Sequence, residues 1–153
     1  NVTENIPFYY CIKELIWAFQ RKEPLFSTEL LSLANHDGTC KIIFNGNERF
    51  SQQNVLYFTR YQPNKYHTGR GGINSPDSIF VYSFSLYPEK YEPSGVCNFS
   101  MLDTAEIQLN DVKLALDSSA DINDGVDMVM YALNYNIMEI RDGQVDVLYK
   151  PTL

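Results

Sequence analysis

The chain has few of the residues that most often do chemistry. Its 153 residues include two histidines (His36 and His67), three cysteines (Cys11, Cys40 and Cys97) and one tryptophan. Neither histidine lies in an HExxH or a triad context, and both read as exposed loop side chains. The cysteines are odd in number, widely spaced and without a CxxC. That excludes a zinc ribbon and a thioredoxin-type motif, leaving reduced, buried or half-buried thiols. Positive charge is also scarce, with 12 Lys and Arg against 19 Asp and Glu for a net −7. Gripping a phosphate backbone needs a concentrated positive field, so direct nucleic-acid binding is set aside. No apolar run approaches the ~18 residues of a membrane span, and no signal peptide is visible. The chain opens Asn1-Val2-Thr3 with no Met, as expected of a piece of something longer.

Candidate ligand loops fail on inspection. Gly69-Arg70-Gly71-Gly72 is too short for a phosphate loop and lacks the Gly-Lys-Ser/Thr ending. The acidic stretch Asp117 to Asp127 invites calcium. With Gly125 at the glycine position of a helix–loop–helix site, Ala120 and Ile122 fall where carboxylates belong, and Tyr131 falls where the bidentate Glu belongs. Glu89 and Glu92, beside Pro88 and Pro93, read as solvent-facing turn charges. No catalytic residue, metal ligand or cofactor site is expected.

What the chain has in quantity is aromatic side chains and short alternating runs. Eleven Tyr and nine Phe argue for a packed domain. A chain of this size buries roughly 68–70% of its unfolded surface. Ile12 to Gln20 puts Lys13, Leu15, Trp17 and Phe19 on one strand face and Ile12, Glu14, Ile16 and Ala18 on the other. Both faces are largely apolar, as in a sandwich interior. Ile79 to Leu86 places Phe80, Tyr82, Phe84 and Leu86 on one face, with Ser83 and Ser85 opposite. Thr104 to Asn110 alternates with Ala105, Ile107 and Leu109 inward, and Val112 to Leu116 continues it or pairs with it. Val126 to Ile140 is long enough for a helix, but its β-branched and aromatic residues, with Asn134 and Asn136, favour extended chain.

Lys41 to Phe44 is a further strand, and Asn45-Gly46 and Asp142-Gly143 read as hairpin turns. Ser51 reads as the cap of a helix over Gln52 to Phe58, limited to about two turns by Pro63. Ser27 to Ala34 reads as another helical turn, and Asn64 to Pro76 as a loop. The expected fold is all-β: one domain over residues 1–153, an eight-stranded antiparallel jelly-roll β-sandwich with one or two short helices. The predicted core is Trp17, Phe80, Tyr82, Phe84, Ile107 and Leu109.

Two triplets fit the glycosylation pattern, Asn1-Val2-Thr3 and Asn98-Phe99-Ser100. Cys97, Phe99 and Met101 suggest a partly buried strand around Asn98, which favours chance occurrence. Asn98 and Asn1 remain the candidate positions.

Several stretches, in order, resemble the major capsid proteins of nucleocytoplasmic large DNA viruses. They are Lys13 to Gln20 (KELIWAFQ), Asn45 to Phe50 (NGNERF), Gln62-Pro63 with Tyr66-His67-Thr68, Ile79 to Leu86 with Pro88-Glu89-Lys90, Pro93-Ser94-Gly95, Cys97 to Ser100 (CNFS) and Tyr131 to Asn136 (YALNYN). The chain departs from the family in Tyr9-Tyr10-Cys11 and in the charged ending Ile137 to Lys150. The resemblance implies the C-terminal jelly roll of a double jelly-roll chain. It also implies a homotrimer forming a pseudo-hexagonal capsomer, with neighbouring capsomers and minor capsid proteins as partners and an internal viral membrane nearby. The location implied is the virion capsid, assembled in the host cytoplasm, and no catalysis is implied. The loops Asn64 to Pro76 and Asp117 to Asp127 are the expected contact surfaces. A carbohydrate-binding β-sandwich module and a double jelly-roll viral scaffold protein are the alternatives.

Overall fold

The computed structural model describes residues 1–22, 30–69, 77–115 and 125–148. Its strands are β1 (Val2–Asn5), β2 (Cys11–Arg21), β3 (Leu30–Leu31), β4 (Thr39–Phe44), β5 (Asn47–Glu48) and β6 (Gln53–Asn54). After one helical segment come β7 (Ile79–Ser83), β8 (Cys97–Asn98), β9 (Ala105–Asn110), β10 (Val126–Asn134), β11 (Met138–Arg141) and β12 (Gln144–Val147). All strand pairs are antiparallel. Twelve strands stand among the described residues where alternation suggested eight. The difference has several sources: β1 left no signal, Val126 to Ile140 divides into β10 and β11, the described part of Val112 to Leu116 forms only a bridge from Leu114 to Leu33, and β3, β5 and β6 are two residues each, too short to leave an alternating pattern.

Two sheets form the sandwich. The first runs β1-β9-β4, with β5 and β6 sharing the far edge of β4. The second runs β10-β2, with β3, β7 and β8 placed end to end along the far edge of β2. The hairpin β11-β12 stands apart as its own sheet. Between the two main sheets Trp17, Phe80, Tyr82, Ile107 and Leu109 are buried. Phe84 is only half-buried, because β7 ends at Ser83, yet it packs against Tyr82 and Phe99 at 5.0 and 5.7 Å between ring centroids. Phe19, Phe80, Trp17, Phe58, Tyr82, Phe84, Phe99 and Phe44 form one unbroken chain of ring contacts.

The alternation of β2 is interrupted once. Leu133 pairs with Glu14 but Asn134 pairs with Ile12, so Lys13 is the extra residue of a bulge. The Lys13 carbonyl accepts from both Phe84 N–H and Ser85 N–H. The bulge moves Ile12 into the core beside Leu15, Trp17 and Phe19, whereas unbroken alternation would put it with Glu14.

Helix placement differs from expectation. Gln52 to Phe58 is not a helix capped by Ser51, because Gln53–Asn54 pairs with β4 and Asn54 Oδ1 accepts the Leu56 N–H. The helical chain begins with a wide turn over Tyr57–Tyr61 and continues as α1, Gln62–Tyr66. Pro63 does not end it. In the wide turn the Gln62 N–H bonds to Tyr57 O, and Pro63 sits in the first turn of α1, where a missing donor costs nothing. Of Ser27 to Ala34, the described part is strand β3 and a single pairing of Leu33 with Leu114. Both turn pairs lie in left-handed backbone: Asn45 and Gly46 at φ 50° and 75°, Asp142 and Gly143 at 51° and 76°.

Candidate functional site

The polar residues of the ordered motifs converge. Glu14 leaves β2 on the outer side, fully buried, and its Oε1 lies 2.6 Å from His67 Nε2. His67 Nδ1 is 3.4 Å from Glu89 Oε1. The Glu89 carboxylate also accepts the Thr68 N–H at 2.8 Å and its hydroxyl at 2.7 Å. Three stretches far apart in the chain, Lys-Glu-Leu, Tyr-His-Thr and Pro-Glu-Lys, thus close on one point. His67 is 26% exposed and carries this bridge, so the sequence reading of it as a free loop side chain does not hold. His36 is 52% exposed and lies 3.2 Å from Asp77, which also takes a two-pronged bond from Arg60 at 2.8 and 2.6 Å. Glu89 is not an idle turn charge either.

Burial pushes the Glu14 carboxyl above the usual carboxylate range, and the His67 hydrogen bond works against that rise. Glu14 Oε2 has no partner. Thr68 holds the Glu89 carboxyl below its usual range, and Arg60 does the same for Asp77. Burial alone drives the Cys40 thiol far above a thiol's ordinary value, so it is an inert packing group. Cys11 and Cys97 are half-buried and, like Cys40, free.

The other motif residues are ties of the same kind. Gln62 Oε1 accepts the Ser83 N–H at the open edge of β7, and its Nε2 donates to Tyr57 Oη. Ser83 and Ser85 are buried rather than solvent-facing, because the chain after β7 folds back over them. Ser83 Oγ donates to Ser85 O, and Ser85 Oγ lies 2.6 Å from Ser94 Oγ. Gly95 has φ 138°, and a Cβ there would sit 2.6 Å from Phe84 O. Asn45 Oδ1 accepts the Asp103 and Thr104 N–H groups, pinning one hairpin to the start of β9. Asn98 is exposed, caps a short 3₁₀ turn by accepting the Ser100 N–H, and Ser100 Oγ accepts the Tyr10 N–H. Asn1 is exposed at the chain start.

These groups hold loops; they do not assemble a nucleophile, a base and an oxyanion pocket. Among the described residues no cluster of three or more His, Cys, Asp or Glu could hold a metal ion. No helix there is long and apolar enough to cross a membrane. Residues 70–76 and 116–124, which carry most of the two loops expected to make contacts and the calcium reading, lie outside the described residues.

One exposed apolar surface lies elsewhere. In β11-β12, Met138 pairs with Val147 and Ile140 with Val145, which sets all four on one face. They are 39–68% exposed. The opposite face carries Glu139, Arg141, Gln144 and Asp146. Patches of this kind mark interaction surfaces.

Comparison with known proteins gives a consistent result. A family described as large eukaryotic DNA virus major capsid protein matches residues 1–145. The chain is 41% identical over 113 residues to the major capsid protein of Phaeocystis pouchetii virus, covering 71% of this chain and 19% of that protein. It is 32% identical over 125 residues to the major capsid protein of Paramecium bursaria Chlorella virus 1, covering 72% of this chain and 28% of the relative. Among solved structures, the quasi-atomic model of the PBCV-1 virus capsid superposes with a TM-score of 0.76 at 24% identity, over 98% of this chain and 46% of that chain. The chain therefore spans less than half of each of these three relatives.

Proposed function

The chain belongs to the major capsid protein family of large eukaryotic DNA viruses, and from that premise we propose that it is a structural subunit of an icosahedral virion shell. It carries out no reaction of its own. The observation that carries this reading is the family match over residues 1–145, whose motif residues fold into ties between loops rather than into a reaction centre.

The finer reading is that the chain forms the C-terminal jelly roll of a double jelly-roll protein. Three such proteins form a pseudo-hexagonal homotrimer, which meets neighbouring capsomers and minor capsid proteins above an internal membrane. Assembly takes place in the host cytoplasm. The rigid sandwich, braced by the Glu14–His67–Glu89 bridge, presents its loops and the β11-β12 hairpin to neighbours. An apolar β-ribbon face suits such contacts, since stable interfaces bury about 800 Å² per partner around an apolar centre.

Mass measurement and negative-stain imaging of the full-length chain test this. A hexagonal trimer is the expected result. A monomer that binds glycans on an array would overturn it in favour of a carbohydrate-binding module. Asn98 and Asn1 remain candidate glycosylation positions. An intact mass equal to the polypeptide from virions would dismiss both.

A further inference from the structure

Both ring nitrogens of His67 face a carboxylate oxygen. Nε2 lies 2.6 Å from Glu14 Oε1, and Nδ1 lies 3.4 Å from Glu89 Oε1. A neutral imidazole has one N–H and one lone pair, so it can donate to only one of two ionised carboxylates. Both contacts are attractive only while one further proton is held between His67 and Glu14, on the ring or on Oε1. The geometry of the cluster therefore calls for an extra proton.

The surroundings of Glu14 favour keeping it. Glu14 is fully buried, and its Oε2 has no partner. Its neighbours across the sheet, Ser83 on β7 and Leu133 on β10, carry no charge. The charged groups that act on it are His67, Lys13 of the β2 bulge and Glu89 of the turn after β7. Lys13 is partly engaged elsewhere, with its Nζ 5.1 Å over the Tyr135 ring. Burial outweighs the pull of His67 and Lys13 and holds the proton on the pair to higher pH than a free carboxyl would.

The two carboxylates are not equal once that proton leaves. Glu89 is 38% exposed and keeps the Thr68 N–H and hydroxyl as donors. Glu14 has His67 as its donor and is shut off from water. A buried carboxylate stripped of its hydrogen bond costs far more than a half-exposed one. The one remaining N–H therefore stays on Nε2 toward Glu14, and the Nδ1 lone pair is left facing Glu89. That contact becomes repulsive.

His67 is the fixed side of it. Its N–H bonds to Pro63 O at the end of α1, and Gln62 ties α1 to β7. Glu89 lies in the turn 86–92, which carries Leu86, Tyr87 and Tyr91 at 66, 56 and 99% exposure. The turn is held at its base by Leu86 N to Ser94 O and on its far side by Tyr135 Oη to Glu92 O. Its link through Glu89 is the one that answers to a proton.

We propose that Glu14, His67 and Glu89 form a proton-held latch: with the extra proton in place the 86–92 turn is fastened to the outer face of β2, and when the proton leaves, the turn loosens at Glu89 and the surface formed by Leu86, Tyr87 and Tyr91 shifts with it. The latch concerns the turn itself and stands apart from the shell reading.

Hydrogen exchange of the full-length chain tests this, read by mass on peptides spanning 86–92 and corrected for the intrinsic effect of pH. Protection of the turn should fall about 10-fold between about pH 5 and pH 9, as one charge-assisted hydrogen bond is lost. Glu14→Gln offers an amide N–H to Nε2, which leaves the Nδ1–H for Glu89 at every pH. Its turn should stay protected throughout. His67→Gln has nothing to titrate, and its turn should be equally weak at both ends of the range. Amides of β9, in the other sheet, should hold steady in all three proteins. A turn whose protection is flat with pH in the parent overturns the latch. So does either variant if its turn loses protection with pH as the parent's does. A loss in β9 that parallels the loss in the turn marks global unfolding and overturns it as well.

Discussion

Trp17 shows how much one residue carries. Its ring stacks on Phe80 and tilts against Phe58, each 5.5 Å away, linking Phe19 and Phe80 to the rest of the aromatic chain. Trp17→Ala should cost about 3–5 kcal/mol, read by urea denaturation. Unchanged melting would contradict its central place. Gly95→Ala tests a different constraint. Its φ of 138° and the 2.6 Å approach to Phe84 O force backbone movement, for an expected loss of roughly 1–3 kcal/mol. Glu14 gives a pH signature. Its carboxyl titrates above the ordinary 4.5 because it is buried. Folding therefore favours its protonated form, and stability falls as pH rises from the unfolded value through the raised one. Glu14→Gln, which still offers His67 an oxygen, removes that fall. Variant and parent should melt alike at acid pH, and the variant should gain on the parent toward neutral pH. A constant difference across the range would show that the carboxyl carries no such penalty.

Among the elements, the strands were legible and the helical segment was not. β9 matches the alternation of Ala105, Ile107 and Leu109, and β10 is extended as its β-branched and aromatic content indicated. The Lys13 bulge was hidden because a one-residue slip leaves every residue type in place and changes only which face it meets. Ser51 has the right chemistry for a cap. Asn54 takes that role because pairing of Gln53–Asn54 with β4 delays the helix start. Among the described residues the β11-β12 hairpin pairs with neither main sheet, and its apolar face is exposed. Ile140→Asp should leave stability within about 0.5 kcal/mol while lowering the yield of assembled capsomers in sedimentation. A melting point that drops with the yield would place the hairpin in the core instead.

For the whole molecule, composition and strand pattern together reached an all-β sandwich of binding or structural kind and no further. A chain of −7 with two histidines and no CxxC had few routes to catalysis or nucleic acid, while its aromatic content demanded a substantial core. The ordered motifs led to the family before any contact was known. Their purpose was not legible, because Glu14 and His67 are 53 residues apart and meet only when α1 runs along β7 and delivers His67 to the outer face of β2. The sequence by itself determined the alternation that makes sheets, the turns at Asn45-Gly46 and Asp142-Gly143, and the family. These depend on residue type and near neighbours along the chain. Only the tertiary structure decided which polar motif residues bridge and which serines are buried. Those depend on surfaces brought together across the whole chain, where burial and pairing, rather than local preference, set the free energy.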